Sequence, residues 1–289
     1  MRILALESAT LTGGAALLDG DRLVGESILS VSLTHSERLM AMADRLLRDC
    51  DWTAKDLEGL AVSIGPGSFT GIRVGVATMK GLALALGLPV APVPTLDALA
   101  STLPFADVPV CPLLHARKGE VYVSLYRWQD DRMVREWDYL ALPPEAAVAR
   151  LDPPVIVLGD GVEACRPFLA RLGGAVRVAP PARRLPSPGV VAQLGHAILE
   201  AGQGVAGEVL LPLYLRPSEE ELKAGRAAAG GEASGHGDPA SVSEPGRAAA
   251  GGEASGHGDP ASGSEPGRAA AGGEASGREN SPSGARRRG

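Results

Sequence analysis

The chain has 289 residues and a formal net charge of −6, from 28 Lys and Arg against 34 Asp and Glu, with three cysteines. Acidic and basic residues interleave through the body, which excludes a broad basic face that would grip nucleic acid unaided. Cys50, Cys111 and Cys165 form no CxxC pair, which excludes a disulfide framework or a cysteine zinc cluster and suits a reducing compartment.

In chain order, Ile3–Leu6, Gly14–Leu18 and Arg22–Ser27 read as strands, the last two joined by the turn Asp19-Gly20-Asp21. From Thr34 to about Cys50 the period is helical, with Leu39, Met40, Ala43, Leu46, Leu47 and Cys50 on one side and Ala41, Asp44, Arg45 and Arg48 on the other. Leu60–Ile64 predicts a strand, Ile72–Leu86 a helix and Pro89–Val93 a strand. A similar order then recurs: strands over Val110–Leu114, Glu120–Arg127 and Met133–Leu140, a helix near Pro144–Leu151, a strand Val155–Leu158, a helix Val162–Leu172, a strand Ala175–Val178 and a helix Pro188–Ala201. Two copies of one unit predict a duplicated ribonuclease H-like α/β fold of the actin-like ATPase kind, with subdomains over residues 1–100 and 101–217 and a cleft between them.

From Gly225 the text repeats, as GRAAAGGEASGHGDPASVSEP, then a near-identical 21-residue copy, then a decaying third. Val242 is the one aliphatic residue larger than Ala in these tracts. They lack the apolar surface that would offset the entropy of ordering, so residues 218–289 are expected to be a disordered, low-complexity tail. The repeats and the end that follows them, residues 225–289, hold seven Arg against eight acids, which leaves −5 on residues 1–224. The opening MRILALESAT lacks a secretion-signal pattern, and the longest apolar stretch, 72–86, carries Arg73 and Lys80. The expectation is a soluble, cytoplasmic protein with no membrane contact.

The stretch Ser63-Ile64-Gly65-Pro66-Gly67-Ser68-Phe69-Thr70-Gly71-Ile72-Arg73-Val74-Gly75 runs from strand through a Gly-Pro-Gly turn into a helix. Free N–H groups and the positive helix end point into such a loop, and Ser68 and Thr70 add hydroxyls. Without the Lys of a P-loop, an anion site and a merely tight, capped connection stand level. The following helix is apolar nearly all round yet contains Gly71, Gly75 and Gly81. Either it is a central core helix or a partner covers its outer side.

Thr34 and Glu37 stand in capping-box relation before the first helix, and His35 lacks a second His one turn on, where Leu39 stands, so no metal site is expected. Glu7, in the turn after the first strand, sits where an actin-like ATPase places a metal-linked acid, with Thr10 and Thr12 nearby and Asp160 as the one counterpart in the second half. That is at most a partial set for phosphoryl transfer. His115-Ala116-Arg117-Lys118-Gly119-Glu120-Val121-Tyr122 reads as a basic turn between strands, a solvated tip before a phosphate contact.

The segments ILALESAT, HSERL, AVSIGPGSFTGIRVGVATMKGLALALGLPV, ARKGEVY, GDG and PLYLRP, in this order over about residues 1–217, resemble the TsaB (YeaZ) family. The resemblance implies an actin-like fold and a noncatalytic subunit of the tRNA threonylcarbamoyladenosine machinery. Such a subunit supports the catalytic subunit TsaD, with the ATPase TsaE joining and tRNA met only indirectly. TsaD-type catalysts carry an HxxxH motif where this chain has His35 and Leu39, and TsaB proteins commonly begin their first loop with Asp-Thr-Ser where this chain has Glu7, Ser8 and Ala9. No catalytic residue is therefore implied; Thr10, Gly65, Gly67 and Ser68 would be a vestigial site for ATP, ADP or another anion. The two N-terminal helices would bundle with TsaD, placing Leu39, Met40, Ala43, Leu47, Arg73, Val76, Ala77 and Lys80 at that contact, or at a homodimer contact when the chain is alone. Two other readings compete: an ATP-dependent enzyme of the small-molecule kinase type, and a peptidase, for which no Ser/His/Asp or HExxH set is present.

Overall fold

The computed structural model describes residues 1–30 and 35–216. The expected tail and the Thr34–Glu37 cap lie outside the described residues.

The first sheet is built from β1 (Arg2–Glu7), β2 (Thr12–Asp19), β3 (Arg22–Ser30), β4 (Gly59–Gly65) and β5 (Val90–Pro94) in the order β3-β2-β1-β4-β5. β1 to β3 form an antiparallel meander, whereas β4 and β5 run parallel to β1. The parallel strands are continuous apolar runs because helices cover both faces. Leu4, Leu6, Leu17, Leu60 and Val62 face α1 (His35–Asp49) and α2 (Phe69–Leu86). Ile3, Ala5, Ala16, Leu18 and Ala61 face α6 (Pro188–Glu200) on the other side. Chain position and packing part company here, since α6 lies within the segment expected for the second half. Small residues permit the approach: a Cβ on Gly195 of α6 would fall 2.4 Å from Cβ of Ala61.

The second sheet repeats the pattern with β6 (Val110–His115), β7 (Val121–Val123), β10 (Leu140–Leu142), β11 (Val155–Leu158) and β12 (Val176–Val178), ordered β10-β7-β6-β11-β12. Renumbered within its half, this is again 3-2-1-4-5, with β7 antiparallel to both β6 and β10, and β11 and β12 parallel to β6. The fold is the duplicated ribonuclease H-like, actin-like architecture. One face of this sheet is covered by α4 (Pro144–Ala149) and α5 (Val162–Leu169), through Val148, Val162 and Cys165. The other face receives α3 (Thr95–Ala100), through Leu96, Leu99 and Ala100. Each half thus lends its last helix to the other half's sheet.

Two expected strands prove broken. Residues 120–127 divide into β7 and β8 (Tyr126–Gln129), and 133–140 into β9 (Arg132–Arg135) and β10, because β8 and β9 leave the sheet as a hairpin held at its edge by Val110 and Tyr126. The break falls at Ser124, whose buried hydroxyl donates to the Trp137 carbonyl at 2.7 Å. The helix expected over 162–172 ends at Leu169 in a 3-10 turn, Ala170–Ala175. α3 was not expected from the sequence. α2 is long and apolar enough by composition to cross a membrane; in this fold Ile72, Val76, Met79 and Ala83 seat it on the first sheet.

Candidate functional site

The parallel strands of both sheets direct their carboxyl ends at one cleft, the usual ligand position in such folds. Ala9–Leu11 follow β1, Pro66–Val74 follow β4, Ala116–Lys118 follow β6 and Asp160 follows β11; with Leu213–Arg216 they line about 950 Å³. Of the four expected anion-site residues, Thr10, Gly67 and Ser68 line this cleft. Gly65 lies behind it, its N–H donating to Thr95 Oγ1 at 3.1 Å; at φ +111°, a Cβ there would sit 2.7 Å from the Leu213 carbonyl oxygen.

Two of the backbone donors at the head of α2 are already engaged. Ser68 N–H donates to the Ala9 carbonyl at 2.7 Å, and Gly71 N–H to the Ser68 hydroxyl, which caps α2, at 3.3 Å. Thr10 is buried, its hydroxyl 2.7 Å from that of Thr12. The glycines serve this closure: a Cβ on Gly67 would lie 2.1 Å from Ala9 O, one on Gly71 2.0 Å from Ser8 O, and one on Gly75 2.3 Å from Ser8 Oγ. Ser8 Oγ in turn donates to Gly71 O at 2.8 Å. The first loop packs closely against the head of α2, which is capped by Ser68.

Glu7 is absent from the cleft lining and fully buried. Its Oε1 accepts from Ala9 N–H at 2.7 Å and its Oε2 accepts from the Ser63 hydroxyl. Burial pushes the carboxyl up to about 7, against the lowering effect of those two donors. Among the described residues no group of three or more His, Cys, Asp or Glu side chains is placed to hold a metal.

Charged residues on the cleft wall fall into two sets. Glu120 is paired with Arg216 at 2.6 Å, and Asp160 Oδ1 accepts from His115 N–H at 2.8 Å. Arg73 lies 3.9 Å over the Phe69 ring and donates to the Tyr214 hydroxyl at 3.1 Å, while Phe69 and Tyr214 stack at 5.1 Å. Arg117 and Lys118 form the exposed turn after β6, with Lys118 left-handed at φ 63°, ψ 29°. The Arg73–Tyr214 contact spans 141 residues, and local spacing carries no trace of it.

The second candidate surface is the outer face of α2. Of the eight residues expected at a partner contact, Met40, Arg73 and Ala77 are exposed and Leu47 and Lys80 half-buried, whereas Leu39, Ala43 and Val76 belong to the core under the first sheet. These three are spent on the inner layer because α1 and α2 together must seal one face of the first sheet before presenting anything outward. The exposed stripe runs through Thr70, Arg73, Ala77, Gly81 and Leu84, the last 59% exposed. Unlike Gly71 and Gly75, Gly81 has nothing within 4 Å of its would-be Cβ. Sequence reasoning passed over Leu84 because α2 is apolar nearly all round and its outer side cannot be read from period alone.

Comparison with known proteins follows the fold. The family profile of "tRNA N6-adenosine threonylcarbamoyltransferase" (TsaD) matches residues 29–148. The tRNA threonylcarbamoyladenosine biosynthesis protein TsaB of Bacillus subtilis is 34% identical over 232 residues, covering 77% of this chain and 97% of its own. The Escherichia coli TsaB is 31% identical over 222 residues, covering 75% and 95%. The solved structure of YeaZ from Pseudomonas aeruginosa superposes with a TM-score of 0.64 at 28% identity, over 74% of this chain and 99% of that one. On its sequence and its fold, the chain belongs to the TsaB (YeaZ) family.

Proposed function

We propose that the chain is the noncatalytic, supporting subunit of the tRNA threonylcarbamoyladenosine machinery, docking on a TsaD-type catalytic subunit through the outer face of α2 and the adjoining part of α1. The single observation that carries the docking is Gly81, a helix-interior glycine facing open space beside Ala77 and a largely exposed Leu84. A glycine there lowers helix stability and returns nothing within the chain; a second helix crossing at that point would use it for close approach. The first loop packed against the head of α2 and the buried Glu7 support a role without chemistry of its own, with ATP turnover belonging to TsaE and transfer to TsaD. The same face would pair two copies when the chain is alone in the cytoplasm.

Ala77→Arg tests this reading. Ala77 is exposed, so the isolated variant is expected to keep its melting temperature, while an unpartnered charge at the contact removes co-purification with TsaD and the stimulation of product formation by TsaD, TsaE and ATP. Retained co-purification, or a variant that unfolds, contradicts the assignment of this face.

A further inference from the structure

We infer that Arg73 on one wall of the cleft and Arg117 and Lys118 on the other form a rim that contacts the phosphodiester backbone of tRNA within the assembled machinery. The inference rests on the reading above that the chain works beside a catalytic subunit in tRNA modification.

The first support is the local charge balance. Of the two acids in the cleft lining, Glu120 is paired with Arg216, while Asp160 accepts a neutral N–H from His115 and keeps its charge against the three cations. Among the described residues no ion pair involves Arg73, Arg117 or Lys118. The rim is therefore a local surplus of positive charge on a body whose total is negative. The second is the backbone at Lys118. A left-handed lysine costs on the order of 1 kcal/mol relative to ordinary regions, and such strain gathers where a side chain must be presented. The turn is closed behind it by Ala116 N–H donating to the Glu120 carbonyl at 3.0 Å, so the two cations sit on a fixed loop.

The shape of the ligand follows from what is closed. A compact triphosphate would draw on the donors at the head of α2, where the Ser68 and Gly71 N–H groups are used by Ala9 and Ser68; it would also meet the Asp160 carboxylate in the cleft wall. An extended polyanion needs only the exposed rims. Arg73 also begins the outer stripe of α2, one turn before Ala77, so RNA held by a subunit docked on that stripe would run onto the rim. Three cations cannot hold tRNA by themselves, in keeping with the net charge, but each adds to an assembly that already holds it.

The test uses the full chain assembled with its catalytic partner, with tRNA affinity measured by fluorescence anisotropy across roughly 50–200 mM salt. The double variant Arg117→Ala, Lys118→Ala is expected to keep its melting temperature and partner co-purification. Its tRNA Kd should rise roughly tenfold near 0.1 M salt, the slope of log K against log salt should flatten by about 2, and KM for tRNA should rise with kcat unchanged. An assembled, tRNA-binding complex indifferent to the double variant overturns the contact alone. Nucleotide binding by the isolated chain that the double variant abolishes overturns the assignment to RNA. Failure of the parent chain to join the catalytic partner overturns the assembly reading and this contact with it.

Discussion

Glu7 is the residue whose chemistry is most changed by the fold. Its carboxyl titrates near 7 in the folded chain against an ordinary 4.5, so through that interval the folded state holds a proton that the unfolded state has released. Stability is therefore full below about 4.5, declines as pH rises toward 7 and is level beyond, a change on the order of 3 kcal/mol. Glu7→Gln carries no titration, so urea unfolding at a series of pH values should show the variant gaining on the parent by about that amount between pH 4.5 and 7; a constant gap contradicts the account. Sequence reading placed Glu7 in the turn after the first strand and aimed it at a ligand, whereas it is the last residue of β1. Its proton affinity is raised by burial and partly held back by Ser63, 56 residues away on the adjacent β4, and no local pattern reports which strand lies alongside. Gly67 and Ser68 were legible as cleft residues because a strand, a Gly-Pro-Gly turn and a helix start are all local features; that Ala9 would fill the turn was not.

At the scale of elements, α2 contains glycines of two kinds, and substitution separates them. A methyl at Gly71 meets the Ser8 carbonyl oxygen at 2.0 Å and cannot be accommodated without moving backbone; Gly71→Ala should cost about 1–3 kcal/mol. Gly81→Ala meets nothing and should stabilise the isolated chain by up to about 1 kcal/mol in thermal unfolding while weakening TsaD binding. Stabilisation without a binding loss would leave Gly81 unexplained by docking. Long elements with a clear period, α1 and the strands β1 to β5, were readable from the sequence. α3 was not, because Leu96, Ala98, Leu99 and Ala100 are all buried and a six-residue helix enclosed on every side has no amphipathic rhythm. The run Val121–Trp128 reads as one strand, and it is divided by long-range bonds, Ser124 to the Trp137 carbonyl and Glu136 N–H to the Leu125 carbonyl.

Across the whole molecule the halves are joined by more than chain connectivity. Asp97 on α3 accepts from the Tyr126 hydroxyl at 2.6 Å and from the Tyr139 hydroxyl at 2.8 Å, and burial raises its carboxyl above the ordinary range against those two donors. Tyr126→Phe removes one donor from a mostly buried carboxylate and should cost about 1–3 kcal/mol, read by calorimetry as a lower transition temperature for a single transition. Two separated transitions would show that the halves unfold independently. The duplication was visible in element order alone, since 3-2-1-4-5 recurs; the exchange of covering helices was not, because α3 and α6 each pack on the sheet of the other half. That exchange bears on how the protein is made. As the chain leaves the ribosome, the first five strands emerge with Ile3, Ala5, Ala16, Leu18 and Ala61 facing nothing, and the helix that shelters them, with Val191, Ala192 and Leu199, begins only at Pro188, long after β5 ends at Pro94. The nascent first half must remain open, and in need of chaperone cover, until about residue 200 has cleared the exit tunnel.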